Sequence, residues 1–102
     1  MTRASTHAPQ YRMVLFVAGD EKNSREARIN VRKLCDQHLN AESQVEVVDV
    51  LQDYRRALEN RVLITPTLLV THPQPPVRIV GTLDDPSRVL SAIGPPDDQA
   101  GY

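Results

Sequence analysis

The polar and apolar positions of the chain divide its first part into elements with different periods. Residues 13–18 form an apolar run without polar interruption, which predicts a strand covered on both faces. After Gly19, apolar residues recur at spacings of three and four, which predicts an amphipathic helix that begins with a capping box of Asn23 and Glu26. The apolar stripe of this helix is predicted to contain Ala27, Val31, Leu34, Cys35, His38 and Leu39.

The middle of the chain repeats the alternation of helix and strand. Asn40 suits the end of the first helix, and residues 45–50 carry the β-branched side chains of a second strand. The first half therefore predicts a right-handed strand-helix-strand unit. A short helix over residues 54–59 follows, with Asp53 as its cap. Its apolar side is predicted to consist of Tyr54, Ala57 and Leu58.

Pro66 interrupts an apolar run that extends from residue 62 to residue 71. Because proline has no N–H for a sheet ladder, we expect it at the start of a third strand. The sequence leaves both isomers of the Thr65–Pro66 bond open. A proline-rich connection over residues 72–76 then leads to an alternating strand at 77–80, which we expect to pair antiparallel with the third strand.

The last element is predicted to be a helix capped by Asp85, with Pro86 in its first turn. Gly94 and Pro95 are expected to end it. The residues expected to face inward are Val89, Leu90 and Ile93. The complete order is β-α-β-α-β-β-α, in one domain over residues 11–94 with flexible tails at 1–10 and 95–102.

Composition narrows the functional classes. The chain has 102 residues and a formal charge of -1, so no general attraction to nucleic acid or to a membrane is expected. It has no apolar run long enough to span a bilayer and no signal-peptide pattern at its start. One cysteine, Cys35, excludes an internal disulfide, and together these features favour a cytoplasmic location. The scattered histidines His7, His38 and His72 predict no metal site.

One face of the first helix is basic. Arg25, Arg28 and Arg32 align there with Lys22 at the helix start, and Ile29 lies among them. Two interpretations remain open, because such a face is often only a solvated helix side. An apolar residue ringed by cations is also typical of protein interfaces, which makes this face a candidate docking surface.

The element order, with a proline at the start of the third strand, resembles the thioredoxin fold. The loop over residues 19–24 contains no cysteine where that fold carries its redox motif. Five further segments, in this order and spacing, resemble the KaiB family of circadian clock proteins over residues 12–93. They are residues 15–19, 23–24, 48–51, 64–68 and 76–78, the last followed by Gly81.

The resemblance implies a non-enzymatic adaptor, without cofactors, that docks on the ATPase ring of a KaiC-type hexamer. It also implies two foldings of the second half, one thioredoxin-like and one with the order βαββααβ that assembles as a tetramer. Pro66 lies at the boundary of that half. Glu26 departs from the family, which often has arginine there, and the segment from Gly94 to Pro96 disfavours the alternative fold, so we expect the thioredoxin-like state. The residues expected to contact the partner are Lys22, Arg25, Arg28, Ile29, Arg32, Arg55, Arg56 and Arg61.

Three alternatives remain at this point. In the first, the chain is a thioredoxin-like redox protein that uses Cys35 alone. In the second, it is a self-assembling dimer or tetramer of the KaiB type without a clock role. The third concerns the binding surface, because the second strand, if it lies at the sheet edge, offers its backbone to an incoming strand, while Glu46 discourages self-pairing.

Overall fold

The computed structural model describes residues 10–39 and 43–93. Their elements follow the predicted order, with bounds that match the prediction for the second helix and the fourth strand and differ from it by at most two residues elsewhere. The elements are β1 (Tyr11–Val17), α1 (Lys22–His38), β2 (Ser43–Asp49), α2 (Tyr54–Glu59), β3 (Thr67–His72), β4 (Val77–Val80) and α3 (Pro86–Ile93).

The four strands form one mixed sheet in the order β2-β1-β3-β4. β1 pairs parallel with β2 and antiparallel with β3, and Leu15 lies beside Val47 on one side and Leu68 on the other. The predicted antiparallel pair of β3 and β4 is present. The thioredoxin-like arrangement is therefore confirmed, with the uninterrupted apolar run in a central strand and β2 at an edge.

Alternation along β1 separates two apolar clusters. Leu15 and Val17 point to the face covered by α1 and α3, and they are completely buried there. Phe16 points to the opposite face and packs with Val48 and with Ala57 of α2. The two longer helices thus lie on one side of the sheet and the short α2 lies on the other.

The start of α1 differs from the predicted capping box. Glu21 is the N-cap, and its carboxylate accepts a hydrogen bond from the backbone N–H of Ser24 at 3.1 Å. The prediction of Asn23 and Glu26 was wrong because Ser24 is buried and its hydroxyl accepts a hydrogen bond from the N–H of Ala18, which fixes the first turn earlier. The predicted end at Asn40 lies outside the described residues.

Two predictions about apolar helix faces also need correction. On α1, His38 is exposed and does not belong to the buried stripe, because the inward position at the end of the helix is taken by the next residue, Leu39. On α2, Asp53 caps the helix as predicted, but Ala57 alone is buried while Tyr54 and Leu58 are exposed. A six-residue helix has room for one inward position, and the small side chain of Ala57 takes it.

Pro66 immediately precedes β3, as predicted, and is buried. The Thr65–Pro66 bond is cis. The carbonyl of Pro66 accepts a hydrogen bond from the N–H of Gly81 at 3.0 Å, so the start of β3 is joined to the end of β4.

The last helix begins at Pro86, and Asp85 accepts a hydrogen bond from the N–H of Arg88 at 3.4 Å, as predicted for its cap. Val89 and Ile93 are buried, and Leu90 is partly buried against the same core. The predicted helix end at Gly94 and Pro95 lies outside the described residues. Within the part of the chain that the structure describes, no helix is long and apolar enough to cross a membrane.

Candidate docking surface

The loops that follow β1 and β2 are held together by one carboxylate. Asp49 accepts hydrogen bonds through Oδ1 from the N–H of Gly19 at 2.9 Å and from the N–H of Leu51 at 3.0 Å. These backbone donors, first Gly19 and then Leu51, lower the pKa of Asp49, and the positive charge of Arg28 lowers it further. Because β1 and β2 are parallel, α1 and α2 both begin at this end of the sheet.

The basic face of α1 is exposed around a single apolar side chain. Ile29 is 56% exposed, and Lys22, Arg25 and Arg32 are exposed as well. Arg25 is held near the helix start, because its Nη1 donates to the carbonyl of Asp20 at 2.6 Å and lies 3.5 Å from the carboxylate of the same residue. Among the described residues, neither Lys22 nor Arg32 has an ion-pair partner. This face therefore presents cations around an uncovered isoleucine.

Arg28 belongs to the same helix face but is less accessible than its neighbours. It is only partly exposed, and its Nε is shielded from solvent without a hydrogen-bond partner in the described part of the chain. Arg28 lines a groove between α1 and β2. It therefore lies at the side of the basic face rather than at its centre.

The predicted contact arginines of the second half lie on or just after α2, which covers the opposite face of the sheet from α1. Arg56 makes two hydrogen bonds, of 2.8 and 3.0 Å, to the carboxylate of Glu46 on β2. This pairing lowers the pKa of Glu46, mainly through the hydrogen bonds. Arg55 and Arg61 are exposed. Arg56 is thus paired with Glu46, and the structure does not bring Arg56 and Arg61 onto the basic face of α1.

The sequence interpretation missed a group of exposed apolar residues on and around α2. Leu63 is the most exposed of them, at 91%. The signal was an excess of apolar residues flanking a helix too short to bury them, since α2 has six residues. The group consists of Leu51, Tyr54, Leu58, Leu63 and Ile64.

Cys35 lies on α1 beside the edge strand and is half-buried. Burial raises the pKa of its thiol, and this effect outweighs a hydrogen bond with Ser43 that lowers it. Cys35 is far along the helix from its N-terminus, where a helix activates a thiolate. No cluster of potential metal ligands occurs among residues 10–39 and 43–93.

The family model and the similar proteins found by comparison indicate the same family. The family model described as the KaiB domain matches residues 14–94. The circadian clock protein KaiB3 of Synechocystis sp. is 34% identical over 79 residues, which cover 78% of each chain. The circadian clock oscillator protein KaiB of Prochlorococcus marinus is 38% identical over 83 residues, which cover 81% of this chain and 71% of that protein.

Solved structures show the fold independently. The N-terminal domain of Synechococcus elongatus SasA superposes with a TM-score of 0.67 at 17% identity, covering 87% of this chain and 83% of that one. Mitochondrial thioredoxin 3 of Saccharomyces cerevisiae gives a TM-score of 0.66 at 18% identity, covering 82% and 76%. The solved structures show a thioredoxin-like fold, and the family match and the curated relatives show that the chain belongs to the KaiB family.

Proposed function

We propose that this chain is a non-enzymatic, cytoplasmic binding module that docks on a KaiC-type hexameric ATPase and modulates its signalling or timing. Membership of the KaiB family supports the clock role. The observation that carries the docking surface is the exposed Ile29 with Lys22, Arg25 and Arg32 around it. An apolar anchor in a cationic rim suits a partner surface with an apolar pocket and surrounding carboxylates.

The proposed docking surface also includes residues at the start of α2, beyond the basic face of α1. Since α1 and α2 both begin at the carboxyl ends of β1 and β2, Lys22 and Arg25 lie at the same end of the sheet as Tyr54 and Arg55. The exposed Leu51 lies between the two helix starts in that topology. We place the docking surface at this end, with Ile29 and Tyr54 as anchors, while Arg61 is peripheral and Arg56 remains paired with Glu46.

The anchor is tested by Ile29→Ser, with Val80→Ser as its matched control. Val80 is 53% exposed, close to the 56% of Ile29, but it lies on β4 at the far edge of the sheet. We expect Ile29→Ser to weaken binding to a purified KaiC-type hexamer by about tenfold, as measured by biolayer interferometry, and Val80→Ser to bind like the unchanged chain. Equal binding by both variants would remove Ile29 from the surface.

The cationic rim is tested by reversing charge. Arg25→Glu and Arg28→Glu are expected to weaken binding, while Arg88→Glu on α3 is not. Because Arg28 is partly buried, Lys22→Glu at the exposed helix start provides a variant without a packing change. Binding of the unchanged chain should weaken as salt rises, since rim charges act mainly on the association rate. Association that is insensitive to both salt and Lys22→Glu would contradict the charged rim.

The proposal includes a change of fold, with Pro66 at the boundary of the switching half. In the thioredoxin-like state, the N–H of Gly81 donates a hydrogen bond to the carbonyl of Pro66, which joins the start of β3 to the end of β4. Backbone NMR assignment of residues 50–93 separates the two states, since the βαββααβ arrangement gives these residues different secondary structure. A tetramer with that arrangement and no binding to the ATPase would instead favour the self-assembling alternative.

A further inference from the structure

A groove of about 420 Å³ lies between α1 and the edge strand β2. Its size falls within the range of sites that hold small molecules. Val31 on the helix and Val45 and Val47 on the strand give it an apolar floor. Val47 remains 48% exposed, so a large apolar side chain in the groove is uncovered in this chain.

The helix side of the groove carries a defined sequence of charges. Arg28, Arg32 and Asp36 follow one another at intervals of four and therefore lie along one line of α1. Neither arginine forms an ion pair with another described residue, and the Nε of Arg28 has no hydrogen-bond partner among them although it is shielded from solvent. Both arginines of the groove are therefore free of carboxylates at ion-pair distance within the described residues.

Nearby carboxylates do not neutralise these arginines equally. Asp49 is close enough to Arg28 for the two charges to interact, but the two side chains form no ion pair, and Oδ1 of Asp49 accepts the N–H groups of Gly19 and Leu51. Asp36 lines the opposite end of the groove, beside Cys35. Cys35 also hydrogen-bonds with Ser43, and in this strand-helix-strand unit α1 runs antiparallel to β2. Arg28 consequently lies near the Val47 end, and Asp36 lies near the Ser43 end.

We propose that this groove binds a small organic monoanion with an apolar body, of the class of medium-chain carboxylates. The carboxylate would lie between Arg28 and Arg32, and the apolar body would cover Val31, Val45 and Val47. The apolar floor and the repulsion from Asp36 disfavour a phosphate or a nucleotide, which brings several charges. The site shares Arg28 and Arg32 with the proposed docking surface, but it is tested by binding of a small molecule in the absence of the ATPase and so does not depend on docking.

Octanoate is a suitable probe for the full chain in the absence of any ATPase. We expect a dissociation constant of about 1 mM or lower, given the size of the probe. In ¹H–¹⁵N correlation spectra, the shifts should be confined to residues 28–36 and 43–47. Octan-1-ol and octylammonium, which lack the negative charge, should bind at least about tenfold more weakly. Equal binding of octan-1-ol, or shifts centred on Leu63 and Ile64, would overturn the site.

Variants test the two arginines separately from the apolar floor. Arg28→Gln and Arg32→Gln together should weaken octanoate binding by about tenfold while leaving the binding of octan-1-ol unchanged. Arg88→Gln, on the exposed side of α3, should match the unchanged chain for both probes. If the arginine variants alter both probes equally, charge recognition is absent and the proposal is wrong.

The single cysteine gives a second readout inside the groove. Because Cys35 lines the same groove, bound octanoate should slow its reaction with a thiol reagent in proportion to the fraction of chain occupied. An unchanged reaction rate at saturation would place octanoate elsewhere. If octanoate has no effect and an acidic extended peptide shifts residues 43–49, the groove receives a protein strand and the proposal fails. Loss of ATPase docking would leave each of these results unaffected, so the two proposals fail separately.

Discussion

Asp49, the last residue of β2, accepts a hydrogen bond from the N–H of Gly19, which lies thirty residues earlier in the chain. The same oxygen accepts from Leu51, so one carboxylate orders the loop before α1 and the loop before α2. The two helices of the proposed docking surface therefore share this structural support. Gly19 begins the loop in which the thioredoxin fold carries its redox motif. In this chain the loop contains no thiol, and Asp49 binds its backbone instead.

Replacement of Asp49 should show how much of this support depends on charge. Asp49→Asn retains an oxygen acceptor, whereas Asp49→Ala removes it and leaves the N–H of Gly19 without its partner. We expect both variants to lower the urea midpoint of unfolding, and Ala to lower it more. Asp84→Ala, at an exposed position before α3, serves as the control. Equal midpoints for Asn and Ala would show that the acceptor contributes nothing.

Acid should weaken the fold through the same carboxylate. The pKa values of Asp49 and Glu46 are lowered in the folded state, so their stabilisation is present above the unfolded pKa values of about 4. It is lost as the pH falls through the lower folded values. The free energy of unfolding should therefore decrease below about pH 4, and Asp49→Asn should show a smaller decrease. An identical pH profile for that variant would contradict the assignment.

Gly19 should tolerate substitution poorly because of its backbone rather than its surroundings. Its φ is +54°, a left-handed conformation that costs most other residues about 1–2 kcal/mol. A Cβ there would lie 3.1 Å from Cδ1 of Leu51, but Leu51 is 70% exposed and free to move. We expect Gly19→Ala to be destabilising in thermal unfolding and Gly19→Asn to be less so.

The double variant with Leu51→Ala separates the two causes. If the backbone conformation dominates, Leu51→Ala will not restore the stability lost by Gly19→Ala. Recovery of most of that loss would instead assign the cost to the contact with Leu51.

Glu46 should keep the edge strand from pairing with a second copy. It lies on β2 at the sheet edge and is paired with Arg56. Glu46→Val would create four consecutive valines and leave Arg56 without its partner, so we expect concentration-dependent self-association in sedimentation velocity. Gln44→Val adds the same side chain on the same face without removing a charge. Association of Gln44→Val to the same extent would show that apolar area, and not the loss of charge, drives it.

Cys35 should react slowly with alkylating reagents. Burial raises the pKa of its thiol, so little thiolate is present at neutral pH. We expect iodoacetamide to modify Cys35 more slowly than it modifies the free thiol of glutathione. The rate for Cys35 should rise at a higher pH than the rate for glutathione. The redox alternative requires the opposite behaviour, together with disulfide reductase activity that is lost in Cys35→Ser. Fast modification of Cys35 at neutral pH would contradict this prediction and support the redox alternative.

Local patterns predicted most of the architecture. The apolar run that contains Phe16, the alternation of residues 77–80 and the proline before β3 were each predictable from the polarity or the backbone of a few neighbouring residues. Caps that depend on one side chain, Asp53 and Asp85, were also predictable. The capping box was not, because the buried Ser24 selects Glu21 through a contact with Ala18 outside the helix.

The sequence by itself determined the element order, the central strand and the basic stripe with Ile29 at helical spacing, because these depend on periods of two and 3.6 residues. The tertiary structure alone decided which side chains are available for binding. It directed Ala57 inward and left Tyr54 and Leu58 exposed. It also paired Arg56 of α2 with Glu46 of the edge strand, and it placed Arg28 in a groove beside Val47. Each of these outcomes depends on how a helix is rotated and seated on the sheet, and contacts between residues distant in sequence fix that arrangement.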